Sequence, residues 1–148
     1  MTTLRDPSSG LLNADYFAVA VPARVAVARR ALRPLSVVFI QLTEADVEPW
    51  EAAAVVLRCI RDSDTACQID DDTIGLILEE TPEDGALWTA ERLRRDLDVA
   101  LPSASVCVGV ATYPAHALDA AELLTSASSA LRSATTWPGS CIVVAQPG

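Results

Sequence analysis

The stretch Ala66-Cys67-Gln68-Ile69-Asp70-Asp71-Asp72-Thr73-Ile74-Gly75-Leu76-Ile77-Leu78 decides the fold. Two strand-like runs, 66–70 and 74–78, meet at Asp70 to Thr73 with no room between them for a helix, so the chain turns back as a tight hairpin. Working outward, three further runs rich in β-branched residues read as strands: 35–42, 105–111 and Cys141–Val144. Longer segments with helical spacing separate them, at 14–32, 48–61, 84–101 and 119–134, the third placing Leu87, Ala90, Leu93 and Leu97 on one face. Breakers sit at the seams: Pro34 before the first strand, Pro82 and Pro102 around the third helix, Pro138-Gly139 before the last strand. The order contains the β-α-β-β-α-β arrangement of a ferredoxin-type core, an α/β (α+β) fold class.

A chain of 148 residues, about half of them hydrophobic, is expected to form one domain over 1–148, with fraying at 1–5 and 146–148. Eleven basic residues against 20 acidic ones give a net charge of -9, which repels phosphate backbones and argues against nucleic acid as a partner. No apolar stretch approaches the roughly 20 residues that span a bilayer, so no membrane insertion is expected. The polar start from Met1 to Pro7 is unlike a signal segment, so a cytoplasmic location is expected. Cys59, Cys67, Cys107 and Cys141 lack the close pairing of a zinc site, and the one histidine, His116, stands in a loop. They read as reduced thiols behaving as small hydrophobes, with no metal and no cofactor.

Five landmarks in Asp6-Pro7-Ser8-Ser9-Gly10-Leu11-Leu12-Asn13-Ala14-Asp15-Tyr16-Phe17 match the pattern D-x-L-T-G-L-x-N-R-x-x-F. Further on, Ala90-Glu91-Arg92-Leu93-Arg94 matches A-E-R-L-R, 106–114 matches S-I-G-V-A-x-x-P, and 121–134 is similar to E-L-L-x-x-A-D-x-A-L-Y-x-A. In this order the landmarks resemble the GGDEF, or diguanylate cyclase, family over nearly the whole chain. The resemblance implies the nucleotidyl-cyclase-like form of the core, a five-stranded, mostly antiparallel sheet flanked by helices. It also implies bacterial cyclic di-GMP signalling as the setting.

Counting from these landmarks puts the family signature at Asp70-Asp71-Asp72-Thr73-Ile74. The family's chemistry joins two GTP molecules, each 3′-hydroxyl attacking the other's α-phosphorus, with divalent metals neutralising charge. Two glycines that let the backbone approach the nucleotide are Asp70 and Asp71 here. The metal ligand on the first strand is Gln41; losing one carboxylate about 4 Å from a cation costs roughly 4 kcal/mol at an effective dielectric of about 20. The fourth, acidic signature residue is Thr73, the lysine beyond the last helix falls at Thr135, and the base-reading helix opens with 43–50 rather than F-K-x-x-N-D. The expectation is therefore a chain that is not an enzyme, with no catalytic residue assigned, in which Asp72 alone of the metal ligands remains. A calcium loop at Asp70 to Asp72 is weighed against a solvated turn, and the turn is preferred because alternating ligands are missing.

One further family feature is matched. An inhibitory product site, R-x-x-D ending six residues before the signature plus an arginine on the next helix, falls on Arg61-Asp62-Ser63-Asp64 and on Arg92. Two guanidiniums suit phosphate oxygens and guanine acceptors, and a carboxylate suits guanine N–H groups. The same residues have a plainer reading: Arg61 at a helix C-terminus, Asp64 stabilising a turn, Arg92 pairing with Glu91 or Asp96. Trp50, Trp88 and Trp137, near element boundaries, read either as interface aromatics or as covers of a core edge. Two functional expectations follow. One is a signalling module acting through an unknown protein partner or as a homodimer; the other is a cyclic di-GMP receptor using Arg61, Asp64 and Arg92. A third, an enzyme using Asp72 with another nucleotide, is weaker.

Overall fold

Strand β1 (Leu35–Thr43) is the middle of the sheet in a computed structural model describing residues 4–43 and 46–146. It pairs antiparallel with β3 (Thr73–Glu79) on one side and with β4 (Ser105–Tyr113) on the other. Strand β2 (Thr65–Gln68) closes one edge antiparallel to β3, and β5 (Cys141–Val144) closes the other parallel to β4. The order β2-β3-β1-β4-β5 gives the expected five-stranded, mostly antiparallel sheet.

Helices cover both faces, so β1 is buried at each of its first six positions rather than alternating. Val38 and Ile40 point to α2 (Pro49–Cys59) and α3 (Glu83–Ala100), meeting Val56, Leu93 and Leu97. Leu35, Val37 and Phe39 point the other way, to α1 (Ala14–Ala31) and α4 (Ala120–Thr135), meeting Val21, Val25 and Leu123. Caps follow from the sequence: Asn13 Oδ1 accepts from the Tyr16 N–H at 2.9 Å, and Asp119 Oδ1 accepts from the Glu122 N–H at 2.8 Å. Pro49 begins α2, where the Glu48 N–H donates to Glu51 Oε2 at 3.0 Å.

Several boundaries differ from expectation. Strand β2 stops at Gln68, because Ile69 and Asp70 both donate their N–H to the Thr73 carbonyl and close the turn early. Helix α2 stops at Cys59, leaving Arg61 outside it, past an extended Ile60. The frayed start fails at Leu4 and Arg5: Asn13 N–H donates to the Leu4 carbonyl at 2.7 Å, and Arg5 forms a β-bridge with Leu12. Of the expected frayed residues, 1–3 and 147–148 lie outside the described residues, as do Glu44 and Ala45 between β1 and α2, while Gln146 is described and stands outside any helix or strand.

Phe39 sets the packing at the sheet centre. Its register partners on both sides are glycines, Gly75 and Gly109, and its ring lies 5.6 Å from that of Phe17. A Cβ at Gly109 would fall 2.3 Å from the Leu131 nitrogen and 2.6 Å from the Ala127 carbonyl oxygen, so α4 rests on bare backbone. At Gly75 a Cβ would meet only side-chain atoms of Ile69 and Phe17 at 3.0 Å. Gly109→Ala should therefore destabilise by about 3 kcal/mol, since helix backbone must shift, and Gly75→Ala by clearly less. Urea unfolding of both variants checks the order, and a Gly75→Ala cost equal to or above that of Gly109→Ala refutes it.

Candidate functional site

The two ends of β1 carry two separate sets of chemistry-bearing side chains, about 20 Å apart at the strand rise. At the far end, Gln41 faces Thr73 in register beside the β2–β3 turn. At the near end, β3 closes on Glu79 and leads through Thr81 into α3.

In the turn, Gln68 Nε2 donates to the Asp70 carbonyl at 2.7 Å and to the Thr73 carbonyl at 3.3 Å, holding the hairpin from inside. The Asp72 N–H donates to Asp70 Oδ1 at 3.2 Å, and Asp72 accepts from Thr73 Oγ1 at 2.9 Å and from Gln41 Nε2 at 3.3 Å. These bonds push the neighbouring carboxyls apart. Partial burial, helped by the Asp72 carboxyl, lifts Asp70 above the usual carboxylate range. Burial opposes ionisation of Asp72 too, but bonds from Asp70, Thr73 and Gln41 outweigh it and hold Asp72 below that range. Hard cations gather several oxygen ligands, carboxylates above all, and among the described residues no three His, Cys, Asp or Glu side chains converge on one position; Gln41 and Thr73 instead donate to Asp72. This donor set does not fit the divalent metals that the resemblance implies.

Two cavities flank the turn. One of about 410 Å³ gathers Phe39, Gln41, Asp70, Thr73, Arg132 and Thr135. A smaller one of about 120 Å³ lies against Asp71, Asp72 and Gln68, whose Oε1 is buried with no partner among the described residues. Arg132 was not legible as a site residue. It stands one turn before Thr135, so the loss of positive charge expected at Thr135 is offset within the same cavity. All 11 basic residues of the chain are arginines, so a phosphate-facing cation here has to be one.

At the other end of β1, Arg61, Asp64, Trp88 and Arg92 share a cavity of about 320 Å³ with Thr81 and Glu80. The structure thus brings together the three residues singled out from sequence. Asp64 accepts four donors: Oδ2 from the Arg61 N–H at 3.0 Å and Nε at 3.3 Å, Oδ1 from Arg61 Nη2 and the Glu79 N–H, both at 3.2 Å. That fills its four acceptor positions, and its side chain is 4% exposed. Arg61 Nη2 also donates to the Glu79 carbonyl at 2.6 Å and to Thr81 Oγ1 at 2.8 Å. The bond to Asp64 holds the guanidinium above its ordinary pKa. These bonds use Nε and Nη2 and leave Nη1, on a side chain 58% exposed. Arg92 lies 5.8 Å above the Trp88 ring and 4.0 Å from Asp96. Glu80 sits at φ 52° and turns its carboxylate to Arg33 at 3.2 Å. Of the plainer readings, turn stabilisation by Asp64 is present, whereas capping of α2 by Arg61 fails because the helix ends before it.

Residues 50–137, more than half of the chain, match the family model described as diguanylate cyclase, GGDEF domain. The chain belongs to the GGDEF family. Solved structures agree on the fold. The GGDEF domain of FimX from Pseudomonas aeruginosa matches at 19% identity and TM-score 0.87, covering 95% of this chain and 99% of that one. The GGDEF domain of DgcB from Caulobacter crescentus, solved in complex with cyclic di-GMP, matches at 13% identity and TM-score 0.85, with coverage of 97% and 96%. The active GGEEF domain of a diguanylate cyclase from Vibrio cholerae matches at 19% identity and TM-score 0.82, covering 93% and 99%. No curated protein sequence matches. Among the described residues, no helix is long and apolar enough to cross a membrane.

The family assignment corrects the expectation that the chain is not an enzyme. The model that matches residues 50–137 is that of the diguanylate cyclases. Counting altered letters along the hairpin misses what a cavity assembles from elsewhere, as Arg132 illustrates.

The split between Asp70 and Asp72 has a stability consequence. A carboxyl whose pKa is raised on folding opposes folding while ionised, and this relaxes as pH falls through its folded value; one held low adds stability that is lost as pH falls. Asp70→Asn should thus stabilise slightly at pH 7, with the gain vanishing below about pH 4, whereas Asp72→Asn should destabilise at pH 7. Thermal unfolding across pH checks both signs, and a loss of stability at pH 7 in Asp70→Asn contradicts the assignment.

Proposed function

We propose that this GGDEF domain binds cyclic di-GMP in the cavity between the α2–β2 turn and α3, through Arg61 and Arg92, with Asp64 as the positioning residue for Arg61. The observation that carries this reading is the locking of Arg61. Its guanidinium is fixed through Nε and Nη2 by Asp64, Thr81 and the Glu79 carbonyl, while the side chain stays half-exposed in a cavity it shares with Arg92. A prefixed guanidinium loses little entropy on taking a phosphate oxygen, so more of the bond appears as affinity. The acids around it are engaged, Asp64 by Arg61, Glu79 by Arg24 and Glu80 by Arg33. In a chain of charge -9, such a cavity is a local exception to the repulsion of anions. Occupancy is read by a protein partner or a second copy of the chain, with α3 as the element that carries both Arg92 and the wall of the cavity.

Charge-assisted bonds contribute about 1.5 to 3 kcal/mol each, and a micromolar constant needs about 8 kcal/mol. Two arginines together with the area buried in the cavity reach that range. Isothermal titration of cyclic di-GMP into the domain should give saturable micromolar binding, weakened at least tenfold in Arg61→Ala. GTP with Mg²⁺, titrated in parallel, separates this site from the hairpin cavity. Absence of cyclic di-GMP binding, or equal binding by Arg61→Ala, rejects the proposal.

A further inference from the structure

Asp64 is the residue that a guanine would be read by if the site discriminated bases, and its four acceptor positions are already filled by Arg61 and the Glu79 N–H. Its side chain is almost wholly covered, whereas Trp88 in the same cavity is 61% exposed. Exposure of that ring is not a failure of core packing. The buried stripe of α3 is Ala86, Ala90, Leu93 and Leu97, and Trp88 lies off it. It stands instead on a second stripe with Gly85, Thr89 and Arg92, at the i, i+3, i+4 and i+7 spacing of a single helix flank, and all four face the cavity. Arg92 sits 5.8 Å from the ring, holding it by a cation–π contact.

We infer that Trp88 is the base-stacking platform of this cavity and that the site takes purine cyclic dinucleotides with little discrimination between guanine and adenine. The inference rests on the reading of the cavity as a cyclic di-GMP site. Phosphate oxygens go to Arg61 Nη1 and Arg92, and a purine lies on the indole. Stacking is tolerant of base identity, because every purine presents a π-face, whereas discrimination requires an unfilled donor or acceptor at the base edge. Asp64 does not supply one while it holds Arg61.

Cyclic di-GMP and cyclic di-AMP, titrated separately into the wild-type domain with Trp fluorescence as readout, should bind within about tenfold of each other. By calorimetry, Trp88→Ala should weaken both by about ten- to a hundredfold, and Trp88→Phe, which keeps a ring, by less, with the fluorescence change lost in both variants. The residue is exposed, so circular dichroism should show an unchanged fold. Cyclic di-AMP binding a hundredfold or more weaker than cyclic di-GMP, or Trp88→Ala binding as the wild type does, overturns the inference while leaving the site in place. Failure of the wild type to bind cyclic di-GMP overturns the site and the inference together.

Discussion

Burial of β1 on both faces is the constraint on which the rest depends. With α2 and α3 on one side and α1 and α4 on the other, a slip of one residue would exchange Val38 and Ile40 for Val37 and Phe39 and leave neither core filled. The register also places the two glycines opposite Phe39, where Gly109 leaves bare backbone for α4 and Gly75 faces the Phe17 ring. Fixing that register fixes both candidate sites. Gln41 arrives opposite Thr73 beside the hairpin, and Ser36 arrives where its hydroxyl donates to the Thr81 carbonyl at 2.8 Å, next to the Thr112 hydroxyl. Thr81 in turn receives Arg61. The position of a half-exposed arginine thus traces back through two buried hydroxyl residues to the central strand.

The two ends of that strand differ in how their charges are satisfied. At the hairpin, three consecutive acids compete, and the outcome is one carboxyl raised and one lowered, with hydrogen-bond donors rather than cations settling the difference. At the α3 end, one acid is fully matched by an arginine and the backbone, while the second arginine lies over the indole and 4.0 Å from Asp96. The same overall acidity is therefore compatible with an anion site at one end and not with a simple cation site at the other.

Much of the fold was legible because it is written in period. The hairpin, the strand order along the chain and all four helices follow from apolar spacing and from Pro and Gly at the seams, and the family resemblance added the sheet. What failed was set by single hydrogen bonds: the Thr73 carbonyl ended β2 early, and the turn from Arg61 to Asp64 fell outside α2. The site was legible only as a set of names. That Arg61, Asp64 and Arg92 meet is a matter of spacing, but the saturation of Asp64 depends on the Glu79 N–H, fifteen residues away. Arg132 became a site residue only when the cavity around it was seen, and Trp88, legible as an interface aromatic or a core cover, was placed beside Arg92 only by the structure. The expectation about enzymatic activity failed for a related reason, in that it weighed positions one at a time.

The central claim is that the cavity holding Arg61, Trp88 and Arg92 is a purine dinucleotide site. Its most direct test is the nitrogen–proton NMR spectrum of the labelled domain during titration with cyclic di-GMP, because three tryptophans give three indole signals. The account predicts that the Trp88 indole and the amides around Arg61 and Arg92 shift together and saturate, while the Trp50 and Trp137 indoles stay in place. Shifts centred instead on Gln41, Asp72 and Arg132 would contradict it.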